Sequence, residues 1–239
     1  ISLNTQNLKS ISGMFGNCLR LTQMDLSGIK SKQLTEMTGL LAGCFNLRHI
    51  NIGSLYTKNV TSMAAIFYNC RQLEKIDLSS LDTENVTNMS SFLNSCTKLK
   101  EIDLSKLNME NVTDMRSMFN NCESLKKIKL SSHDTKNLSN VVLLFSGCKN
   151  LKTIDLSHLN FENVTDMSEI FNGCSNLEKI NIDKLNSKNA TNMRKMFFGC
   201  SSLKDIDLSS LDTTNIVNIS YLFSGCSNLS KVKLFFIKI

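Results

Sequence analysis

The chain has 239 residues, 41% of them apolar and 20% charged, with a formal charge of +6 and neither proline nor tryptophan. That is enough apolar material for a large core, and its finely alternating acids and bases hold no basic tract of the kind that marks a nucleic-acid partner. No apolar run approaches the roughly 18–20 residues of a membrane-spanning helix, so no direct membrane insertion by this segment is expected. The start shows no Met and no charged-then-apolar leader, and it enters mid-pattern, which is expected of a fragment or a processed product.

The organising feature is a repeat. Cys18, Cys44, Cys70, Cys96, Cys122, Cys148, Cys174, Cys200 and Cys226 are spaced by 26 residues at every interval. Aligned on Cys, the units share the profile L-x-x-I-x-L-x-x-L-x-x-x-N-V-T-x-M-x-x-M-F-x-G-C. In chain order, each unit opens on an alternating apolar pattern, as at Ile76 and Leu78 or Ile102 and Leu104, which predicts a half-buried strand. An Asn column follows, running Asn7, Asn59, Asn85, Asn111, Asn137, Asn163, Asn189 and Asn215, with Gln33 departing from it. These amides are expected to bond along the stack at a bend.

The second half of the unit changes period. Val164, Met167, Ile170, Phe171 and Cys174 fall at helical spacing and predict one buried face of a short helix. Thr165 reads as its N-cap and Asp166 as an acid favoured in its first turn. Gly173 fits a left-handed residue after the helix, a slot filled elsewhere by Asn69, Ser95 or Asn121. One unit cannot fold alone. Ordering its backbone costs about 1–2 kcal/mol per residue, so stability has to come from contacts between stacked units. The unit ending at Cys148 departs from the profile at His133 and Val141, where a local irregularity is expected.

The run L-x-x-I-x-L-x-x-L with its Asn column resembles a leucine-rich repeat. DLSSLDTENVTNMSSFLNSCTKL is similar to the BspA-type repeats of bacterial surface proteins, including those of mycoplasmas. The resemblance covers residues 1–239 as a single domain. It implies an α/β repeat solenoid: a right-handed leucine-rich-repeat horseshoe or arc of about nine coils. Parallel strands would line its concave face and short helices its convex face. It also implies a location at the cell surface or in the secreted fraction and a role in adhesion or host contact.

The chemistry-bearing residues read differently against this frame. Metal-binding cysteines come as close pairs, and none occurs here. Nine thiols on the apolar face are expected to be reduced and packed as small hydrophobes. Sequons begin at Asn59, Asn85, Asn88, Asn111, Asn137, Asn163, Asn189, Asn218 and Asn228, but in the Asn column both Asn and Thr have structural tasks. His133 and His158 with Asp134 fall short of the ligands a metal centre needs. Ser132, His133 and Asp134 are contiguous, whereas a catalytic triad converges from separate positions. No enzymatic motif and no cofactor site emerges.

What remains is the polar strand face. Its outward columns supply the candidate ligand-binding residues Lys75, Asp77, Glu101, Asp103, Lys127, Lys129, Asp155, Lys179 and Asp207. A protein or glycan of a host or neighbouring cell is the expected partner. The competing reading is a solvated face on a stalk with no ligand of its own. Tyr56, Phe161, Phe198 and Tyr221 occupy variable columns and read as exposed aromatics. The ending LFFIKI breaks the profile, and neither end has a recognisable cap, so end-to-end self-association is expected.

Overall fold

The computed structural model describes residues 4–53, 55–131, 135–183 and 185–234. The chain is a solenoid, and among the described residues eight of its turns carry a three-residue strand each. These are β1 (Gln23–Asp25), β2 (His49–Asn51), β3 (Glu101–Asp103), β4 (Lys127–Lys129), β5 (Thr153–Asp155), β6 (Lys179–Asn181), β7 (Asp205–Asp207) and β8 (Lys231–Lys233). Pairing is parallel and in register, so residues 26 apart stand side by side, as Ile102 beside Ile128 and Ile154 beside Ile180. The strands pair as β1–β2, β3–β4, β5–β6 and β7–β8. Lys75–Asp77, in the coil between β2 and β3, follows the same columns without strand pairing.

Beyond the Asn bend runs a second parallel ladder. Its bridges link Ser10, Glu36, Ser62, Asn88, Asp114 and Asn140 in one series and Asp166, Asn192 and Asn218 in another. The interruption between Asn140 and Asp166 coincides with Val141. Leu143 N–H, two residues on, reaches Ser168 O at 3.3 Å, against 2.8–2.9 Å for its counterparts at Ser91, Ser117 and Lys195. The irregularity expected at Val141 is thus visible in the ladder, while His133 lies outside the described residues.

The predicted short helices are corrected. No helix occurs among the described residues, and the segment that follows the bend is a train of tight turns. In the coil of Cys174 the amides alternate. Asn172 N–H bonds to Glu169 O and Cys174 N–H to Phe171 O within the coil. Met167, Glu169, Phe171 and Gly173 instead donate sideways to Asn192, Arg194, Met196 and Phe198 of the next coil. An α-helix needs every amide turned back four residues along its own axis. Here alternate peptides are flipped by left-handed residues at Glu169 (φ 59) and Gly173 (φ 74). The flipped amides gain partners in the neighbouring coil, which a helix would forgo.

The helical spacing nevertheless identified the buried side chains. Val164, Met167, Ile170, Phe171 and Cys174 are fully buried. Thr165 caps nothing. Its carbonyl accepts from Thr191 N–H (2.8 Å) and from the Thr191 hydroxyl (3.1 Å).

The core is one continuous cluster running the length of the stack. Phe119, Phe145, Phe171, Phe197 and Phe223 stack with ring centroids 5.5–5.6 Å apart. Beside them the buried thiols form their own ladder. Cys96 Sγ donates to Phe67 O (3.2 Å), Cys174 to Phe145 O (3.1 Å) and Cys200 to Phe171 O (3.2 Å) in the preceding coil. Cys is small enough to pack there and carries one weak donor, which occupies a second lone pair on that carbonyl.

Candidate functional site: the strand face

The two outward columns of the strand face have different tasks. In the column of Asp25, each carboxylate turns back on its own chain. Asp77 accepts from Ser79 N–H (2.9 Å), and Asp103, Asp155 and Asp207 accept from Ser105, Ser157 and Ser209 N–H (2.8 Å each). This is the local side-chain-to-backbone bond that Asp favours in turns, and it closes the exit from each strand. Asn51 and Asn181 make the same bond to Gly53 and Asp183. The carboxylates stay charged. Bonds from the serine hydroxyls, and next from the serine amides, hold Asp77 and Asp103 below the ordinary Asp value. At Asp155 burial works against the Ser157 hydroxyl, and the carboxyl still lies below that value. At Asp207 the Ser209 hydroxyl, the Lys233 ammonium and the Ser209 amide bring it to about 2.

Lys129 and Lys233 replace the acid in this column and reach back to the previous coil, Lys129 to Asp103 (3.3 Å) and Lys233 to Asp207 (2.9 Å). Both pairs are well exposed and supply charge complementarity more than stability.

The neighbouring column is free of such duties. Lys75, Glu101, Lys127 and Lys179 are exposed, and among the described residues their side chains form no ion pair or hydrogen bond. The register sets Glu101 beside Lys127 and Thr153 beside Lys179. Of the nine candidate residues, therefore, four carboxylates close turns, Lys129 pairs with one of them, and Lys75, Glu101, Lys127 and Lys179 remain available.

The structure also gathers residues that the columns alone did not single out. A groove of about 480 Å³ lies over β6, β7 and β8. It brings Lys179 and Asp207 together with Asp183, Asp205, Lys231 and Lys233. The signal for Asp205, Lys231 and Lys233 was present, since they continue the same two columns. What the columns could not show was where the face dips.

The other readings sort as follows. The Asn column bonds along the stack: Asn85, Asn111, Asn163 and Asn189 donate from Nδ2 to Lys58, Glu84, Lys136 and Glu162 O, each at 2.8 Å. Among the described residues no group of His, Cys, Asp and Glu has metal-binding geometry. His133 and Asp134 lie outside those residues. Phe161 is corrected: it is fully buried, in an inward column that Thr57 and Thr83 fill with buried hydroxyls bonded to Asp82 and Asn108 O. Tyr56 and Tyr221 are exposed as expected, and Phe198 is half-buried under Lys195. No helix of the described residues is long and apolar enough to cross a membrane.

A parallel solenoid with a 26-residue step, strand and Asn ladders and a continuous Leu-rich core defines a leucine-rich-repeat protein of the BspA-like type. The chain belongs to the family described as "Mycoplasma protein of unknown function, DUF285", which matches residues 1–75, 35–154 and 139–234. Among solved structures it is similar to a leucine-rich repeat protein from Bacteroides ovatus, at 21% identity and a TM-score of 0.55, over 94% of this chain and 63% of that one. This chain therefore spans less than two thirds of that relative's length. It is also similar to a leucine rich cell surface protein from Faecalibacterium prausnitzii, at 17% identity and a TM-score of 0.35, over 95% of this chain and 63% of that one. A leucine-rich-repeat protein of T. pallidum matches at 16% identity and a TM-score of 0.39, over 81% of this chain and 70% of that one. No curated protein matches the chain.

Proposed function

We propose that the chain is a non-catalytic recognition scaffold of an exported bacterial surface protein, engaging a protein or glycan of a host or neighbouring cell through the strand face. The observation that carries this reading is the division of labour between the two strand columns. The fold engages the Asp column in turns, and leaves Lys75, Glu101, Lys127 and Lys179 projecting unpaired. Mixed charges in register supply orientation and partner discrimination. The resemblance to BspA-type proteins supports the surface location and the adhesive role.

The second reading, a spacer with no ligand of its own, draws on the composition of the same face. Interface hot spots favour Trp, Tyr and Arg, and the outward strand columns hold none of these, being mostly Lys, Asp, Glu, Asn and Ser. A binding screen against extracellular-matrix proteins and glycans separates the two. The recognition reading expects a bound partner whose affinity falls at least about tenfold, or 1.4 kcal/mol, on Lys127→Glu with Lys179→Glu. The melting temperature should not move. Binding that ignores both substitutions, or no binding at all, favours the spacer.

A further inference from the structure

Along the strand face runs a further column, formed by the residue just before each strand position. Between Thr22 and Ser230 it reads Arg48, Glu74, Lys100, Lys126, Lys152, Glu178 and Lys204. All seven are exposed. Together with the column two residues earlier, which holds Arg20 and Lys98 and no acid, it carries seven bases against two acids, a net +5 of the chain's +6. At the strand exit the Asp column carries five acids against two bases. The face is therefore basic along its entry edge and acidic along its exit edge. In the sequence these bases stand 26 residues apart with acids between them, and only the stacking of coils gathers them.

The charge is least compensated in the middle of that edge. Lys100, Lys126 and Lys152 hold the same position in three successive coils, and Lys126 N–H donates to Lys100 O at 2.9 Å. Neighbouring coils stand about 4.8 Å apart, and like charges directly opposite repel. The outer two lysines turn away from the centre, Lys100 to Glu74 (2.9 Å) one coil back and Lys152 to Glu178 (3.1 Å) one coil on. The Lys126 ammonium has no ion pair among the described residues, and Lys127 beside it has none either. Glu74 is already shared: the bond and charge of Lys100, and then Lys98 and Arg48, hold its carboxyl below the ordinary Glu value. The column accepts uncharged residues at Thr22 and Ser230, so the fold itself does not call for three lysines in line.

We infer that Lys100, Lys126 and Lys152, with Lys127 beside them, bind a linear sulfated glycan laid along the stack. This rests on the recognition-scaffold reading and narrows its partner to one class. The ammoniums repeat once per coil, so the ligand has to carry anions at close, regular intervals along one axis. A sulfated polysaccharide does so on successive sugars of a stiff chain and loses little freedom on binding, whereas an acidic peptide would have to be ordered first. The two entry columns contain no aromatic side chain. A single-stranded nucleic acid would want such a side chain to stack on, and a membrane surface would take aromatic or aliphatic residues alongside the bases. Thr153, which follows Lys127 in the adjoining column, is exposed and offers a hydroxyl in place of a competing carboxylate. Exposed pairs such as Lys100–Glu74 contribute little, so the outer ammoniums swing to a sulfate at small cost.

The experiment is calorimetric titration of the 239-residue chain with heparin and with fully desulfated heparin, at low and at raised salt. Heparin should bind, more weakly as salt rises, and the desulfated chain should not. Lys126→Gln should weaken heparin binding at least about tenfold. Its melting temperature should hold or rise, because a like-charge contact is removed. Lys204→Gln takes the same charge from the same column outside the trio, and should leave the affinity within about twofold. Absence of heparin binding overturns the inference. So do equal binding of the desulfated chain, equal losses for the two variants, or tighter binding of duplex DNA or of vesicles of equimolar phosphatidylserine and phosphatidylcholine. If heparin is ignored while the matrix screen yields a partner lost on Lys127→Glu with Lys179→Glu, this inference alone fails. If neither heparin nor the screen gives binding, the recognition reading fails with it.

Discussion

A thiol in the core of this stack differs from a thiol in solution only in its surroundings, and the surroundings are uniform. Burial pushes Cys70, Cys122 and Cys174 up to about 12. Because the thiolate is the reactive species, buried members should be inert in the native state. Labelling with an aromatic disulfide should modify Cys18 at once, Cys226 slowly, and the seven buried cysteines only in denaturant. Prompt labelling of seven or more thiols in the native chain would refute the buried ladder. The same shifts predict alkaline lability. Below the unfolded thiol pKa of about 8.5 both states hold the proton, and the contribution of the thiols is intact. Above it the unfolded chain releases protons that the fold retains, at about 1.4 kcal/mol per thiol per pH unit. The melting temperature should therefore fall steeply above about pH 9, and a Cys122→Ala variant should fall less steeply. At the acid end the sign reverses. The turn-closing carboxylates Asp77, Asp103 and Asp207 lie below their ordinary value. Their contribution is full above about pH 4, the unfolded Asp value. It is lost as pH falls through the folded values, which reach about 2 at Asp207. Thermal melts of the unaltered chain and Asp103→Asn should converge below that window and separate above it.

At the scale of the element, the turn train explains both the success and the failure of reading this sequence. The apolar spacing of Val164, Met167, Phe171 and Cys174 was legible because buried positions depend on side-chain direction. Consecutive turns advance about three residues each, close to the 3.6 of a helix. The left-handed slot at Gly173 was legible for the same reason, and Asn69, Ser95 and Asn121 share its positive φ. A second left-handed slot four residues earlier went unread because its occupants include Ala65, Leu143, Glu169, Lys195 and Tyr221, none of which announces that conformation. The cost at those residues is met by the sideways hydrogen bonds, which are a property of the neighbouring coil. The candidate site shows the same division. Its columns were visible in the repeat, but the turn-closing role of Asp103 or Asp155 needed the strand exit to be seen. The element makes its own prediction. Ala65 holds φ 55 in a column where Gly13 and Gly39 sit without strain. Ala65→Gly should therefore stabilise the chain by about 1 kcal/mol, the usual penalty of a left-handed residue with a Cβ. In an α-helix the same change would destabilise by a similar amount. Chemical denaturation gives the sign, and a loss of stability would argue for a helix after all.

At the scale of the molecule, stability is a sum over neighbouring coils, so the position of a defect matters as much as its size. Phe145 lies mid-stack between Phe119 and Phe171, with centroids 5.5 Å away on both sides. Among the described residues Phe223 touches a ring on one side, Phe197 at 5.6 Å. Removing a buried Phe side chain costs about 3–5 kcal/mol. At Phe145 that loss falls on two coil interfaces in a region where the lateral ladder already lacks a bridge between Asn140 and Asp166. The two halves of the solenoid should then unfold apart, and Phe145→Ala should turn a single denaturant transition into two. At Phe223 the same substitution weakens only the last interface. The end coil should fray while the main transition keeps its midpoint. Hydrogen exchange distinguishes the cases directly, because protection lost on both sides of Phe145 is a break in the stack, whereas protection lost only beyond Phe197 is fraying. Equal effects from the two substitutions would mean that the molecule folds as one globule, and the nearest-neighbour account of its cohesion would fail.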